Sequence, residues 1–323
     1  MSHPEITVVI PAYNEEAVLP ALFTRLYPAL DGLDKSYEII FVDDGSHDRS
    51  PALLRVQQQA RPKVTRVLLL ASNAGQHMAV LAGFEHSRGD IVITLDADLQ
   101  NPPEEIQRLI EAIETGHDYV GSVRQDRQDS LFRRYTSKAI NQLRERITHI
   151  RMSDQGSMLC AYRRDIVDVI NSCREVSTFI PALAYSMAAN PTEIKVRHAE
   201  RAGGESKYSL YSLIRLNFDL ITNFSAVPLQ FISMAGMLLS LLSAIFVCLL
   251  TVRRIMLGPE AEGLFTLFGI AFFLLGILLF SVGLLGEYVG RIYHLLRPGP
   301  RYRIAALLEE ENEVIKTEAV TQN

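Results

Sequence analysis

Along residues 5 to about 200, apolar and polar positions alternate in blocks. Residues 6–10, 37–42, 64–70 and 90–95 are short, apolar, β-branched runs, and each gives way to turn chemistry and then to a helical pattern. Continuous apolar runs are what strands buried on both faces require, so the pattern predicts an α/β domain built on a mainly parallel sheet. A different pattern takes over beyond residue 220. Residues 220–252 hold 33 positions without a charge and residues 263–286 hold 24 more. Each run exceeds the roughly 20 residues that cross a hydrocarbon core, and each is apolar on every face. Two membrane spans are expected, at about 229–252 and 264–286. In the hairpin between them, Arg253 and Arg254 balance Glu260 and Glu262 around Gly258 and Pro259. Ahead of the first span, Leu210, Leu213, Ile214 and Leu216 interleave with Lys207, Tyr211, Arg215 and Asp219, the pattern of an amphipathic helix lying at the headgroups. The expected organisation is an α/β domain over 1–205, an interfacial region over 206–228, a two-helix membrane hairpin over 229–286, and a juxtamembrane segment with an acidic tail over 287–323.

Charge changes this picture locally. The chain has 32 Lys and Arg against 37 Asp and Glu, a formal net charge of −5, which disfavours the basic surface of a nucleic-acid binder. Residues 304–323 alone carry five Glu and one Lys, whereas 195–215 and 287–303 each sum to +3. That basic excess flanks the spans on the side holding both termini and places both in the cytosol. Residues 1–5 lack the basic start and apolar core of a signal peptide. Cys160, Cys173 and Cys248 are odd in number and match no zinc or redox spacing, which fits a reducing compartment.

The candidate chemistry lies just beyond the four apolar runs. There the chain reads PAYNEE (11–16), DDGS (43–46), SNAGQH (72–77) and DADLQ (96–100). In open sheets ligands bind beyond the carboxyl ends of the strands, so four polar, carboxylate-rich segments converge on one rim. Asp96 and Asp98 are suited to a hard cation shared with ligand phosphates; by themselves they read equally well as a turn before Pro102, Pro103, Glu104 and Glu105. Asp43 and Asp44 invite a turn or contacts to ribose hydroxyls or a base edge. Residues 120–151 contain eight Lys or Arg against three acidic residues, and Gly203 and Gly204 lie between Arg201 and Lys207 just before the amphipathic stretch. Any one of these cations taken alone reads as a solvated surface charge; glycines that let backbone approach a phosphate, and headgroup depth, favour Arg201 and Lys207 as phosphate ligands.

The segments VVIPAYNEE, VDDGS and LDADLQNPPEE resemble the family 2 glycosyltransferases of GT-A fold, and the two apolar C-terminal stretches resemble their polyisoprenyl-phosphate glycosyltransferase branch. The strings NAGQHMAVLAGF, RQDRQDS, STFIP, HAERAGGESKYS and GLLGEYVGRIY are similar to those of branch members that transfer 4-deoxy-4-formamido-L-arabinose to undecaprenyl phosphate in lipid A modification, with resistance to polymyxin-type cationic peptides. The resemblance implies a GT-A domain that binds a UDP-sugar through Pro11, Tyr13, Asn14, Glu15, Asp44, Asn73, Gln76 and Asp96. It implies Mg²⁺ or Mn²⁺ on Asp96 and Asp98, and acceptor phosphate held by Arg124, Arg134, Arg201 and Lys207. The catalytic set it implies is Asp98, Asp154 and Arg127, with Asp154 as base or sugar-positioning group, and inversion by single displacement. A homo-oligomer, a tetramer by resemblance, in the bacterial inner membrane is implied as well. His77 either reads sugar groups beside Gln76 or is simply solvated at a helix start. Two alternatives stay open: another polyisoprenyl-phosphate transferase using UDP-glucose, and a non-catalytic membrane scaffold. A processive synthase is disfavoured, because its QxxRW element needs a tryptophan and the chain has none.

Overall fold

The computed structural model describes residues 3–124, 152, 157–173, 179–197, 227–257, 264–296, 301–310 and 312–314. Four strands, β1 (Ile6–Ala12), β2 (Tyr37–Asp43), β3 (Thr65–Leu70) and β4 (Ile91–Thr94), form where the apolar runs were read. They alternate with α1 (Leu19–Asp31), α2 (Ser50–Ala60) and α3 (Gln76–His86). Every residue of β1 is buried, as a central strand covered on both faces must be. A 3₁₀ turn, Pro103–Glu105, leads into α4 (Ile106–Glu114), whose Ile106, Leu109, Ile110 and Ile113 are buried at helical spacing. Then follow β5 (Tyr119–Arg124), β6 (Cys160–Arg163), α5 (Arg164–Ser172), α6 (Ile180–Met187) and β7 (Pro191–Val196). Beyond them lie the long helices α7 (Val227–Leu257) and α8 (Leu264–Leu296), and finally β8 (Ile304–Glu309) and β9 (Asn312–Val314).

Among the described residues the sheet order is β7-β5-β6-β4-β1-β2-β3-β8-β9. The chain steps from β1 to β2 to β3 in one direction, then returns through α3 to lay β4 on the other side of β1. Strand order therefore reverses between β1 and β4, the topological switch point at which open α/β sheets bind ligands. Gly83 lets α3 settle onto β1, since a Cβ there would lie 2.2 Å from Cγ1 of Val9.

The sheet is mixed, which corrects the expectation of a mainly parallel one. The pairs β1–β2, β1–β4, β2–β3 and β5–β7 are parallel, while β4–β6, β5–β6, β3–β8 and β8–β9 are antiparallel. The parallel pairs β1–β2 and β2–β3 have a helical crossover that is visible in sequence; an antiparallel neighbour needs none and so leaves no such signal.

The segment read as an acidic tail also returns to the sheet. Strand β8 pairs with β3, matching Val67 to Leu308 and Leu68 to Leu307. An ionic network centred on the buried Arg66–Glu38 pair ties β8 to β3. Arg66 Nη1 donates to Glu38 Oε2 at 3.1 Å and Arg66 Nε to Glu309 Oε2 at 3.0 Å, while Arg88 Nη2 donates to the same Glu309 oxygen at 2.9 Å. Glu38 Oε1 further accepts Thr7 Oγ1 and the Arg88 amide, both at 2.7 Å.

The chain divides into two compact units, and β8 and β9 belong to the one containing the sheet. The other contains α7 and α8, which contact each other. Their apolar side chains, such as Met237, Phe246, Phe272 and Phe280, are exposed. Among the described residues, one helical stretch, Ile270–Gly290 of α8, is long and apolar enough to cross a membrane, and it is 6% buried. The expected amphipathic segment 206–222 lies outside the described residues; the polar stretch 287–296 continues α8.

Candidate active site

The rim is built by backbone amides caught on side chains of neighbouring loops. Beyond β1, Asn14 sits in the left-handed region with φ 56°, a conformation that asparagine tolerates better than most residues. Its amide donates to Ser46 Oγ at 2.9 Å, and its Oδ1 accepts the His47 amide at 2.9 Å. The Glu15 amide donates to Ser50 Oγ at 2.9 Å, the Glu16 amide to Asp48 Oδ2 at 3.1 Å, and the Arg49 amide to Glu16 Oε2 at 3.0 Å. The PAYNEE and DDGS segments are thereby held as one platform. Pro11 is buried beneath it, while Tyr13 is 42% exposed.

The DDGS segment is fixed in turn to the loop beyond β3. Gly45 has φ +68°, and a Cβ there would lie 2.6 Å from the carbonyl carbon of Ser72, so only glycine allows the two loops to approach. Asp44 is buried, and its oxygens accept the amides of Ala74 at 2.7 Å and Gly75 at 2.9 Å. Burial raises its pKa, and these two amides work against that rise. The resemblance implies that Asp44 contacts the nucleotide; in the structure its carboxylate also clamps the segment that starts α3. Asp43, read with Asp44 as a turn or a ribose or base contact, meets both readings. Its Oδ2 accepts the Ser46 amide at 3.2 Å, but its buried Oδ1 has no hydrogen-bond partner, and burial raises its pKa too.

The start of α3 reaches the end of β4. Gln76 Nε2 donates to Asp96 Oδ1 at 2.7 Å, and the Gln100 amide donates to Asp98 Oδ1 at 3.1 Å. Immediately after Asp98, Leu99 turns the chain with φ 60°, although its side chain is buried. A branched residue in this region is strained by about 1 kcal/mol or more and persists only where its surroundings enforce it. Asp96 and Asp98 are both partly exposed. No cluster of three or more His, Cys, Asp or Glu able to hold a metal occurs among the described residues. Two hard carboxylate donors on an accessible rim fit a divalent cation that takes its remaining ligands from phosphates and water rather than from a full protein cage.

His77 is not the solvated residue that a histidine at a helix start suggests. Its ring packs edge-on against Phe179, with centroids 5.4 Å apart, and burial lowers its pKa to about 4. Its Nδ1 is buried without a partner. Cys160 begins β6, beside Thr94 of β4; burial pushes its thiol up to about 11, so it is no nucleophile at neutral pH.

The structure brings Pro11, Tyr13, Asn14, Glu15, Asp44, Asn73, Gln76, Asp96 and Asp98 to the carboxyl-end loops of adjoining strands. Arg124 ends β5, opposite Val196 of β7. Arg127, Arg134, Asp154, Arg201 and Lys207 lie outside the described residues.

The model of the family described as glycosyl transferase family 2 matches residues 7–170. A protein of Aeromonas hydrophila named undecaprenyl-phosphate 4-deoxy-4-formamido-L-arabinose transferase is 49% identical, covering 97% of each chain. Proteins of the same name from Edwardsiella ictaluri and Pseudomonas aeruginosa are 52% and 50% identical over 93% of this chain, covering 93% and 89% of theirs. Among solved structures, glucosyl-3-phosphoglycerate synthase from Mycobacterium tuberculosis in complex with Mg²⁺ and uridine-diphosphate aligns with TM-score 0.49 at 18% identity, covering 68% of this chain and 77% of that one. Staphylococcus aureus TarS residues 1–349 align with TM-score 0.41 at 16% identity, covering 59% of this chain and 58% of that one. With the family match running through the entire rim and relatives near half identical along almost the full length, the chain belongs to glycosyl transferase family 2.

Proposed function

We propose that this glycosyltransferase moves 4-deoxy-4-formamido-L-arabinose from a UDP-linked donor to undecaprenyl phosphate. The observation that carries the reading is the 49% identity, over 97% of both chains, to a relative named for that transfer. The rim supports it chemically. Pro11, Tyr13, Asn14, Glu15, Asn73 and Gln76 surround the nucleotide, with Asp44 holding their loops together. The orphaned Asp43 Oδ1 offers an acceptor for a ribose hydroxyl or a base N–H. Asp96 and Asp98 would hold Mg²⁺ or Mn²⁺, which when bound offsets the charge that develops on the departing diphosphate.

An oxygen of the acceptor phosphate attacks the anomeric carbon as the bond from that carbon to the diphosphate breaks, its electron pair leaving with UDP. A single displacement inverts the anomeric centre. A phosphate monoester has a second pKa near ~6 and is largely a dianion at pH 7, so the nucleophile is already ionised. What it requires is placement beside another anion, the task of Arg124, Arg127, Arg134, Arg201 and Lys207. Asp154 then orients acceptor or sugar rather than removing a proton. Residues 229–252 and 264–286 span the bacterial inner membrane with both termini cytosolic, 206–228 lies at the interface, and the enzyme assembles as a tetramer that serves lipid A modification and polymyxin resistance.

The test is a donor panel with purified full-length enzyme and undecaprenyl phosphate. Turnover of UDP-4-deoxy-4-formamido-L-arabinose in clear preference to UDP-glucose is expected. Preference for UDP-glucose, or no turnover with any donor, would overturn the assignment.

A further inference from the structure

We propose that His77 selects the donor sugar, its imidazole giving a neutral N–H to the acyl oxygen of the 4-formamido group. This assignment rests on the donor proposed above and adds the residue that distinguishes that donor from its unformylated form. His77 is the second residue of α3, directly after Gln76, whose amide donates to Asp96 Oδ1 at 2.7 Å. Its neighbour in sequence is thus bonded to the carboxylate assigned to the diphosphate, the group to which the sugar is joined. Phe179, at the threshold of α6, packs against the ring at 80°. Two segments about a hundred residues apart in sequence thus hold the imidazole, as a specificity contact requires.

The two ring nitrogens are unlike. Nδ1 is buried and unpartnered, whereas the ring keeps part of its surface exposed and Nε2 is not among the buried atoms lacking a partner. A proton on Nδ1 would leave a buried N–H without an acceptor, at a cost of about 1–3 kcal/mol. The proton belongs on Nε2, at the open edge of the ring. A neutral donor there complements an uncharged acceptor such as a formamide oxygen. The corresponding amine is an ammonium at neutral pH with donors only, so it would set N–H against N–H and lose water without recompense.

The experiment measures kcat/KM of full-length enzyme with UDP-4-deoxy-4-formamido-L-arabinose and with its 4-amino counterpart, undecaprenyl phosphate being the acceptor. His77→Phe keeps a ring against Phe179 but removes the N–H; His77→Gln returns an N–H near the Nε2 position. Expected is a fall of about tenfold in the formamido-to-amino ratio for His77→Phe, recovery of most of it in His77→Gln, and inhibition by UDP within about twofold of wild type. The ratio is taken within each variant, so partial loss of folded enzyme does not move it. An unchanged ratio in His77→Phe, or UDP inhibition weakened in parallel, would overturn the proposal. Failure of the wild-type enzyme to use the formamido donor would instead overturn the function on which it rests.

Discussion

Asp44→Asn separates a ligand contact from a loop clamp. The Asp44 carboxylate is 3% exposed and accepts one backbone amide on each oxygen, Ala74 at 2.7 Å and Gly75 at 2.9 Å. Hydrogen bonds to a charged acceptor contribute about 1.5–3 kcal/mol each, whereas a neutral one contributes about 0.5–1.5 kcal/mol. Asparagine keeps a single carbonyl oxygen. It can hold one of the two amides, with a neutral bond, and it turns its own NH₂ toward the other. Against this loss stands the desolvation of the carboxylate, which raises its pKa and which an amide escapes. The balance is a destabilisation of about 2 kcal/mol, or about 6 °C in melting temperature for a domain of this size. The loop released carries Asn73 and leads into Gln76, so KM for the donor should rise severalfold while KM for undecaprenyl phosphate stays put. Thermal unfolding followed by circular dichroism, with donor and acceptor kinetics on the same preparation, reads both effects. A variant that melts within 1 °C of wild type refutes the clamp, and if its donor KM still rises, Asp44 touches the nucleotide directly.

Three further outcomes follow from the same structure. Glu38→Gln removes the charge facing the buried Arg66 and leaves one acceptor oxygen where Arg66, Thr7 and the Arg88 amide now share two, and should cost about 2–4 kcal/mol in chemical denaturation; a loss under 0.5 kcal/mol would contradict the network. For His77, the folded pKa of about 4 lies below the ordinary 6.5, so between those values the folded state binds fewer protons than the unfolded one. Stability is complete above pH 6.5 and is lost as pH falls toward 4, by up to about 3 kcal/mol; His77→Gln should flatten that slope, and an equally steep slope would show that other groups produce it. Lys207→Ala should raise the KM for undecaprenyl phosphate more than that for the donor, and equal changes in both would reject its acceptor role.

The four-strand core and its rim were legible because buried parallel strands read as unbroken apolar runs and the turn residues that close them also carry the chemistry. Residues 37–42 and 64–70 fall within one residue of β2 and β3 at each end. Strand β8 was hidden because IAALLE is short and runs into further glutamates, so local charge outweighed a five-residue apolar signal; its anchor, Arg66, lies 243 residues from Glu309. The antiparallel pairing of β6 on β4 was equally silent, since register between distant segments leaves no local trace. The division of roles within DDGS was left open for a related reason. Which of Asp43 and Asp44 is committed to backbone depends on amides some thirty residues downstream. The burial of His77 depends on Phe179, which no periodicity near residue 77 announces.

The central claim is that Asp96 and Asp98 make donor binding depend on a divalent cation. Isothermal titration of UDP into the full-length protein tests it most directly, run with Mn²⁺, with EDTA, and with Asp98→Asn in Mn²⁺. Tight binding in the first titration and a loss of at least about a hundredfold in the other two is expected. Equal affinity in all three would contradict the account.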